Sequence, residues 1–525
     1  MFIINEKLRL WGSNGQRALM NANILLINAD AVGTETLKNL VLPGVGRFTV
    51  IDDKQVSQLD LGTNFFVDPS HIDLMRADVV KDMLCEMNPD VTGIAITKSI
   101  SSVLQTEPAF LSSFTLVITA NIDEKLLANI SSYCFSQKIP LIVTRAYGLI
   151  GYLRLQLQGH SIIESKPDSK SYDLRIANSF KEFEEYCDGF DFETSDSLSH
   201  SHIPYPVILY RAISKWRAEN GGVLPTNKVS KDAFEVLIKN MSADITKEIN
   251  FEEAVKHKSM AFTVSTVPGV VKELIQEASE QSLHKDQSEF DTLLQSLKIF
   301  MEKFNGCVPL NGQVPDMTAT SASYVQIQKV YHDKAVADMH ALKAIISTVL
   351  TVTGKSPNQI SDETIELFCQ NVNNLQRITT SKIEDELLVS NMEVLREALD
   401  DPYDDPLQTP IVWYLCLRAV DKFQLQHGRW PGTQADSVDS DANKVWMYIQ
   451  KLAKENEADD LLPYICQDHA VEITKYAGYE LHAIAAMIGG VAAQEAVKVI
   501  THQYVPLNNT YIYNGIAGVG GSYSL

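Results

Sequence analysis

A short polar turn near the N-terminus carries the residues with the clearest potential for chemistry. Asn28 and Asp30 stand in this turn, Gly33 follows, and Asp52 comes later in the chain. Glycine-rich turns between a strand and a helix bind phosphates, because free backbone N–H groups and the helix dipole favour an anion there. An acidic residue about 20 positions further on can then bind a ribose. The spacing is therefore that of a nucleotide pocket.

The turn departs from the phosphate-binding pattern G-x-G-x-x-G at two positions. Only the last glycine, Gly33, is present, and that position serves close packing of the helix. Asn28 and Asp30 stand where the backbone must approach the phosphates. A carboxylate about 4 Å from a phosphate costs about 4 kcal/mol, roughly a thousandfold in affinity. A vestigial pocket is favoured, with Asp30 capping the helix, and Asp52 is either a ribose ligand or a polar residue ending a strand.

The elements that must position this turn follow a strand–helix–strand pattern. Residues 23–28 form an apolar run typical of a buried strand, 34–42 have helical spacing, and 47–51 predict a second strand. Apolar runs at 114–119 and 139–144 extend the alternation. Because such crossovers are right-handed and join parallel strands, we expect a doubly wound, Rossmann-like α/β sheet.

The middle of the chain has a different character. From residue 173 to 479 helical periodicity and acidic stretches dominate, and strand-like runs are rare. The segment 480–525 then begins with a helix that is apolar on nearly every side and continues with a strand at 510–513. The sequence thus predicts an α/β domain formed by 1–172 and 480–525 and interrupted by a long, mostly helical insertion at 173–479.

Composition limits the classes of partner. Among 525 residues, 45 are Lys or Arg and 66 are Asp or Glu, which gives a formal net charge of -21. Nucleic acids and anionic membranes attract basic surfaces, so we expect neither as a partner. No signal segment is evident, so we expect a cytoplasmic location, with the nucleus as a second one.

The seven cysteines form neither a metal nor a disulfide pattern. Their number is odd and no C-x-x-C pair occurs, which favours small buried residues in a reducing compartment. No second His or Cys stands at metal spacing from His427, so we expect no metal site. The cysteines are Cys85, Cys134, Cys187, Cys307, Cys369, Cys416 and Cys466.

Several segments, taken in order, resemble the ubiquitin-like-protein activating enzymes. Leu-Arg-Leu-Trp-Gly at 8–12, the turn above, the segment 38–46 and Gly-Gly-Val-Ala-Ala-Gln-Glu at 489–495 resemble their adenylation fold. Other segments resemble more closely the regulatory subunits of neddylation-activating heterodimers, the amyloid-precursor-protein-binding protein one family. These are 163–165, 250–254, 314–317 with Tyr324 and Tyr331, 427–429 and 508–513. The resemblance covers nearly the whole chain.

This resemblance implies two subunits with different tasks. In the family, a catalytic subunit adenylates the modifier with ATP and magnesium and then captures it on a cysteine, whereas the regulatory subunit performs no chemistry. It implies for this chain a pseudo-adenylation domain, a catalytic-cysteine-like insertion without the cysteine, no catalytic residue and no bound cofactor. ATP and magnesium belong to the partner. The implied partners are that catalytic subunit and the ubiquitin-like modifier.

Three departures from the active family pattern agree with a silent subunit. The phosphate glycines are replaced, residues 60–62 lack the basic residue expected after the ribose acid, and the magnesium-binding aspartate is replaced by Ala120 or Asn121. The family's regulatory subunits also supply an N-terminal arginine to the partner's ATP site. Here Glu6 stands at the matching position, with Lys7 and Arg9 beside it.

The resemblance further points to a contact between segment 322–335 and the catalytic subunit. Aromatic anchors such as Tyr324 and Tyr331 suit the centre of an interface, although a core stripe on a helix fits them equally well. The helix at 480–501 is expected near the seam of the two adenylation folds or in the domain core. The predicted interface residues are Arg211, Trp216, Ala322, Ser323, Tyr324, Ile327, Gln328, Tyr331, Lys334 and Ala335.

Two enzymatic interpretations remain as alternatives. The chain could be a self-sufficient ATP-dependent adenylating enzyme for a ubiquitin-like or sulfur-carrier protein, against which the residues at 28, 30, 60–62 and 120–121 speak. A nicotinamide-dependent oxidoreductase would rely only on the strand–turn–helix start, and no Tyr-x-x-x-Lys pair follows a suitable strand.

Overall fold

The fold comes from a computed structural model that describes residues 2–167, 172–193, 196–264, 266–388, 391–400, 405, 408–434 and 437–525, with side chains described from Trp11 onward. The chain divides into two compact units. The first unit consists of the residues up to 162 together with 377–525, and the second consists of 163–376.

The N-terminal part of the first unit alternates strands and helices. Its elements are α1 (Phe2–Asn21), β1 (Asn23–Ile27), α2 (Ala31–Val41), β2 (Arg47–Ile51), α3 (Gln58–Thr63), α4 (Arg76–Met87), β3 (Thr92–Ile96), α5 (Ile100–Thr106), β4 (Leu116–Ala120), α6 (Glu124–Ser136), β5 (Leu141–Tyr147), β6 (Ile150–Gln156) and β7 (His160–Ile162). The predicted strands and the helix predicted at 34–42, which is α2, are confirmed. Helix α2 begins at Ala31, earlier than predicted, because Asp30 caps it.

The second unit is helical in the part that the structure describes. Its elements are α7 (Lys181–Asp188), α8 (Ser197–His200), α9 (Tyr205–Glu219), α10 (Lys228–Met241), α11 (Ile249–Lys256), α12 (Ser259–Phe262), α13 (Gly269–Glu280), α14 (Glu289–Lys303), α15 (Ser321–Val352) and α16 (Asp362–Asn371). Two apolar clusters form its core, one built around α9 and the other around α14.

The remaining elements return the chain to the first unit. They are β8 (Gln376–Ile378), α17 (Ile383–Leu388), α18 (Met392–Leu399), α19 (Val412–His427), α20 (Val438–Glu455), α21 (Gln467–Lys475), α22 (His482–Thr501), β9 (Thr510–Asn514) and β10 (Val519–Tyr523). Residues 377–479, which the sequence assigned to the insertion, therefore lie in the first unit. Their helices pack with the sheet, since apolar residues of α19 and α20 share a core cluster with Tyr147, Ile150 and Ile512, and helical periodicity alone does not show which unit a helix joins.

An eight-stranded sheet forms the centre of the first unit, in the order β10-β9-β6-β5-β4-β1-β2-β3. Strands β1 to β5 run parallel, whereas β6, β9 and β10 pair antiparallel to their neighbours. The fold is thus the predicted doubly wound α/β sheet, extended by an antiparallel edge. Chain order reverses between β1 and β4, and ligands of such sheets bind in the crevice at the carboxyl ends of those strands.

Strand β1 shows why the apolar run has no polar face. Ile24 and Leu26 belong to the core on one side of the sheet, whereas Leu25 and Ile27 belong to the core on the other side. All four residues are fully buried. Because helices cover both faces of a parallel sheet, its central strands are apolar throughout.

Helices α15 and α22 are long and apolar enough to cross a membrane by length and composition alone. In α22, however, Ile484, Ile488 and Ala492 are buried within the first unit. The helix packs closely on α2, where a Cβ on Gly489 would lie 2.8 Å from the Cβ of Glu35. Helix α22 therefore packs in the core of the α/β domain, which is one of the two positions that the sequence predicted for it.

Candidate functional site

The predicted nucleotide turn lies at the crevice between β1 and β4. Asn28 follows β1 with a φ of 67°, in the left-handed region that favours glycine and tolerates asparagine. Its side-chain amide donates to the Ala120 carbonyl at 2.9 Å, which ties the ends of the two strands together. The first pattern glycine is therefore replaced by a residue that keeps the conformation of the turn and fills the crevice.

Asp30 is the N-cap of α2, as the sequence predicts. Its Oδ1 accepts from the Gly33 N–H at 3.2 Å. A Cβ on Gly33 would lie 2.6 Å from the Asn28 carbonyl oxygen and 3.0 Å from the Cβ of Ala120. The glycine thus has the predicted packing role, and the capping carboxylate places a negative charge where phosphates would enter.

The N-terminus of α2 carries a second carboxylate, from Glu480. Its Oε2 accepts from the Ala31 N–H at 2.8 Å and its Oε1 from the Val32 N–H at 3.0 Å. These first-turn amides have no partner within a helix and are the groups that bind an anion in nucleotide pockets. The carboxylate of the chain itself therefore occupies the anion position of this pocket.

Asn121, at the end of β4, joins the two carboxylates. Its amide nitrogen donates to Asp30 Oδ2 at 2.8 Å and to Glu480 Oε1 at 3.0 Å. Burial and the neighbouring Asp30 charge raise the pKa of Glu480 to about 8. Burial also raises the pKa of Asp30, against the lowering effect of the Arg76 charge. The two buried carboxylates thus favour holding a proton near neutral pH.

The predicted ribose ligand, Asp52, is engaged within the protein. Its Oδ2 accepts from the Ala29 N–H and from Arg76 Nε, both at 2.8 Å, and its Oδ1 accepts from the Lys54 N–H at 2.9 Å. Arg76 also donates to Asp60 Oδ1 at 2.9 Å. The structure supports the structural role of Asp52, because backbone and guanidinium donors engage both of its oxygens.

The basic residue that the sequence lacked at 60–62 is supplied from further along the chain. Arg76, the first residue of α4, is buried and bridges Asp52 and Asp60. Its charge is paired with carboxylates rather than directed to a ligand phosphate. This basic residue near the pocket is therefore engaged by two carboxylates of the chain itself.

A cavity of about 550 Å³ lies beside these groups. Its lining includes Asp30, Asn121 and Glu480, and also Arg145 and Trp430. The guanidinium of Arg145 lies 5.4 Å from the Trp430 ring centroid and pairs with Asp421 at 2.7 Å. The residues present do not fit ATP with magnesium, since Asn121 supplies no carboxylate for the metal and Glu480 takes the phosphate amides. Among the described residues, no group of three His, Cys, Asp or Glu side chains could hold a metal ion.

Two of the predicted interface residues lie inside the second unit. Ile327 and Tyr331 are fully buried, and the Tyr331 hydroxyl donates to the Leu174 carbonyl at 2.7 Å. The rings of Phe180 and Phe183 pack against Tyr331 at centroid distances of 5.4 and 5.5 Å. These two residues form the core stripe that the sequence offered as the alternative.

The other predicted residues of α15 are accessible to different degrees. Ala322 and Gln328 are exposed, while Ser323, Tyr324, Lys334 and Ala335 are half-buried. Lys334 pairs with Asp338 at 2.6 Å. Contact between these residues and another protein stays a prediction.

Arg211 and Trp216 lie half-buried on α9. Arg211 pairs with Asp188 at 3.2 Å, and Trp216 Nε1 donates to the Val223 carbonyl at 3.1 Å. The side chains of Glu6, Lys7 and Arg9 lie outside those that the structure describes. A trans-acting basic residue at the N-terminus therefore also stays a prediction.

The cysteines are distributed as a set of structural residues would be. Cys134, Cys187, Cys369 and Cys416 are buried, and Cys85, Cys307 and Cys466 are half-buried. Burial raises the pKa of Cys134 and of Cys369 to about 12, which disfavours the nucleophilic thiolate at both.

The family model that describes the ThiF family matches residues 4–519. The chain is 36% identical to the NEDD8-activating enzyme E1 regulatory subunit of Danio rerio, over 99% of this chain and 98% of that protein. It belongs to the ThiF family, among the NEDD8-activating enzyme E1 regulatory subunits. A second regulatory subunit, AXL of Arabidopsis thaliana, is 34% identical over 98% of this chain and 97% of its own length.

Solved structures align with a smaller part of this family member. E. coli tRNA N6-threonylcarbamoyladenosine dehydratase covers 28% of the chain and 63% of its own length, with a TM-score of 0.25 and 23% identity. The family assignment therefore rests on the full-length relatives. The residues that sequence reasoning missed are Glu480, whose position hundreds of residues from the turn leaves no local signal, and Arg76, which follows the segment where a basic residue was expected.

Proposed function

We propose that this chain is the regulatory, chemically silent half of a heterodimer that activates a NEDD8-type ubiquitin-like modifier. Its catalytic partner binds ATP and magnesium and forms the thioester, whereas this chain supports the partner and helps to hold the modifier. The observation that carries the proposal is the position of Glu480 on the first-turn amides of α2. With that carboxyl group in place, a nucleotide phosphate meets the buried Asp30–Glu480 pair and its negative charge instead of free N–H donors.

The outer face of α22 supports a docking role for the first unit. Ala483 is exposed, and Met487 and Val491, four and eight residues further along the helix, are half-buried. Leu481 and Phe65 extend this apolar surface, with exposed fractions of 43% and 79%. Apolar groups in one patch are typical of a surface that another protein covers. We assign this face, together with the exposed residues of α15, to the catalytic subunit.

Co-expression tests the proposal directly. The chain carries the only affinity tag, the co-expressed catalytic subunit of a NEDD8-activating enzyme is co-purified, and thioester formation on the modifier is followed with ATP. We expect activity only when both chains are present. Replacement of the half-buried Cys85, Cys307 and Cys466 by serine should leave the thioester yield unchanged. Adenylate formed by this chain alone would favour the alternative, a self-sufficient adenylating enzyme.

A further inference from the structure

The segment at the start of α22 is fastened to four other parts of the first unit. Glu480 binds the α2 amides and Asn121. Next to it, the Tyr479 carbonyl accepts from the Gly148 N–H at 2.7 Å, after β5. His482 Nδ1 lies 3.3 Å from the Thr63 carbonyl oxygen, at the end of α3. The start of α22 is thus held by polar contacts to groups that line or adjoin the vestigial pocket.

Farther along, α22 is held by close packing. A Cβ on Gly489 would lie 2.8 Å from both the Glu35 Cβ and the Thr36 backbone nitrogen, so the two helix backbones approach without a side chain between them. Helices α2 and α22 are therefore joined at two points, a carboxylate at the start of α22 and a glycine in its middle. Two points of attachment fix the direction of a helix, and with it the outer face that carries Ala483, Met487 and Val491.

We propose that Glu480 is a positioning residue: its carboxyl group takes the place of a ligand phosphate on the α2 amides and so holds α22 in the orientation that the catalytic partner recognises. The inference rests on the proposed function, because it assigns the partner surface to α22. In this proposal, the anion position of the vestigial pocket does not bind a substrate. It binds Glu480 and thereby orients α22 for contact with the catalytic subunit.

Chemical rescue distinguishes an anion position from an ordinary hydrogen bond. Glu480→Ala removes a methylene and a carboxylate, and acetate supplies the same groups. In this variant the Ala31 and Val32 amides and Asn121 remain as donors, so a small monovalent carboxylate can bind in the space that is left. Inorganic phosphate carries more charge and meets the Asp30 carboxylate, so it should rescue less than acetate does.

The test measures the affinity of the full-length chain for the catalytic subunit. Glu480→Ala should weaken binding by about tenfold or more, and saturating acetate at constant ionic strength should recover most of the loss. Glu480→Gln replaces one of two oxygens that both accept from N–H donors, so its NH2 group would face a donor in either orientation, and its affinity should also fall below that of the wild type. Glu472→Ala is the matched control, because Glu472 lies on α21 and, within the described part of the chain, its carboxylate accepts from Lys475 and Tyr476 of the same segment.

A second variant covers the case in which Glu480→Ala does not fold. Ala31 is the first residue of α2, where proline is tolerated, and Asp30 before it is extended, as proline requires. Ala31→Pro removes one of the two backbone donors to Glu480 and should also weaken partner binding. Wild-type affinity in Glu480→Ala or in Ala31→Pro, or a loss that acetate does not restore, would overturn the inference. Failure of the wild-type chain to bind the catalytic subunit is a different result, which overturns the proposed function first.

Discussion

Asp30 and Glu480, 450 positions apart in the sequence, accept hydrogen bonds from the same amide nitrogen of Asn121, at 2.8 and 3.0 Å. Asp30 caps α2 through Gly33, and Glu480 binds the amides of Ala31 and Val32. The donors at the start of this helix therefore go to two side chains of the protein. Side chains of the chain itself thus satisfy the first-turn amides of α2.

The carboxylate pair makes stability depend on pH. The pKa of Glu480 is raised to about 8 by burial and by Asp30, so the folded chain binds this proton more tightly than the unfolded chain. The resulting stabilisation is fully present below the ordinary pKa of a glutamate and is lost as the pH rises through about 8. Thermal unfolding between pH 5 and pH 9 should show a decline in stability that Glu480→Gln reduces. Identical pH profiles for the wild type and Glu480→Gln would contradict the binding of a proton by the Asp30–Glu480 pair. Arg76 and Asp52, whose charges act on Asp30, are present in both proteins.

Removal of Arg76 should be strongly destabilising. Arg76→Ala leaves Asp52 and the partly buried Asp60 without their guanidinium partner, and breaking a buried ion pair costs about 3–5 kcal/mol. Lys81→Ala on the same helix is the matched control. Among the residues that the structure describes, Lys81 forms its ion pair with the exposed Asp82, so this substitution should change stability by less than about 1 kcal/mol. Urea unfolding of both variants measures the difference. Equal effects would show that Arg76 is not an essential partner of these carboxylates.

Two adjacent glycines of α22 should respond in opposite directions to alanine. A Cβ at Gly489 meets the backbone of α2 at 2.8 Å, so Gly489→Ala should cost about 1–3 kcal/mol. Gly490 has open space around its Cβ position, so Gly490→Ala should stabilise the helix by up to about 1 kcal/mol. Denaturant unfolding of the isolated chain, measured for the wild type, Gly489→Ala and Gly490→Ala, gives the midpoints that test both expectations. A stabilising Gly489→Ala would contradict the close contact of α2 and α22.

Substitution of Tyr331 tests whether this residue of α15 belongs to the core or to an interface. Tyr331→Phe removes the hydroxyl that binds the Leu174 carbonyl and should lower the free energy of unfolding by about 1 kcal/mol, with partner affinity unchanged. Gln328→Ala, at an exposed position one turn earlier, should alter stability by less than about 0.5 kcal/mol. Loss of partner affinity in Tyr331→Phe at unchanged stability would contradict its place in the core.

Local patterns predicted the elements around the turn but not the contacts that close it. The apolar run at 23–28, the cap at Asp30 and the packing role of Gly33 depend on neighbours in sequence, and all three are confirmed. Glu480 and Arg76 reach the pocket through tertiary folding, which periodicity does not encode. Tyr331 and Ile327 were open to both interpretations, because a helical stripe looks the same whether its own domain or another protein covers it.

Direct titration of the isolated chain with ATP and magnesium tests the central claim, that this chain has lost nucleotide chemistry. We expect no saturable binding below about 1 mM, because Glu480 and Asp30 occupy the helix N-terminus and Asn121 offers the metal no carboxylate. The same titration with the assembled heterodimer should show tight binding at a single site per complex. Micromolar binding of ATP to the isolated chain would contradict the claim and show that the pocket of this subunit is functional.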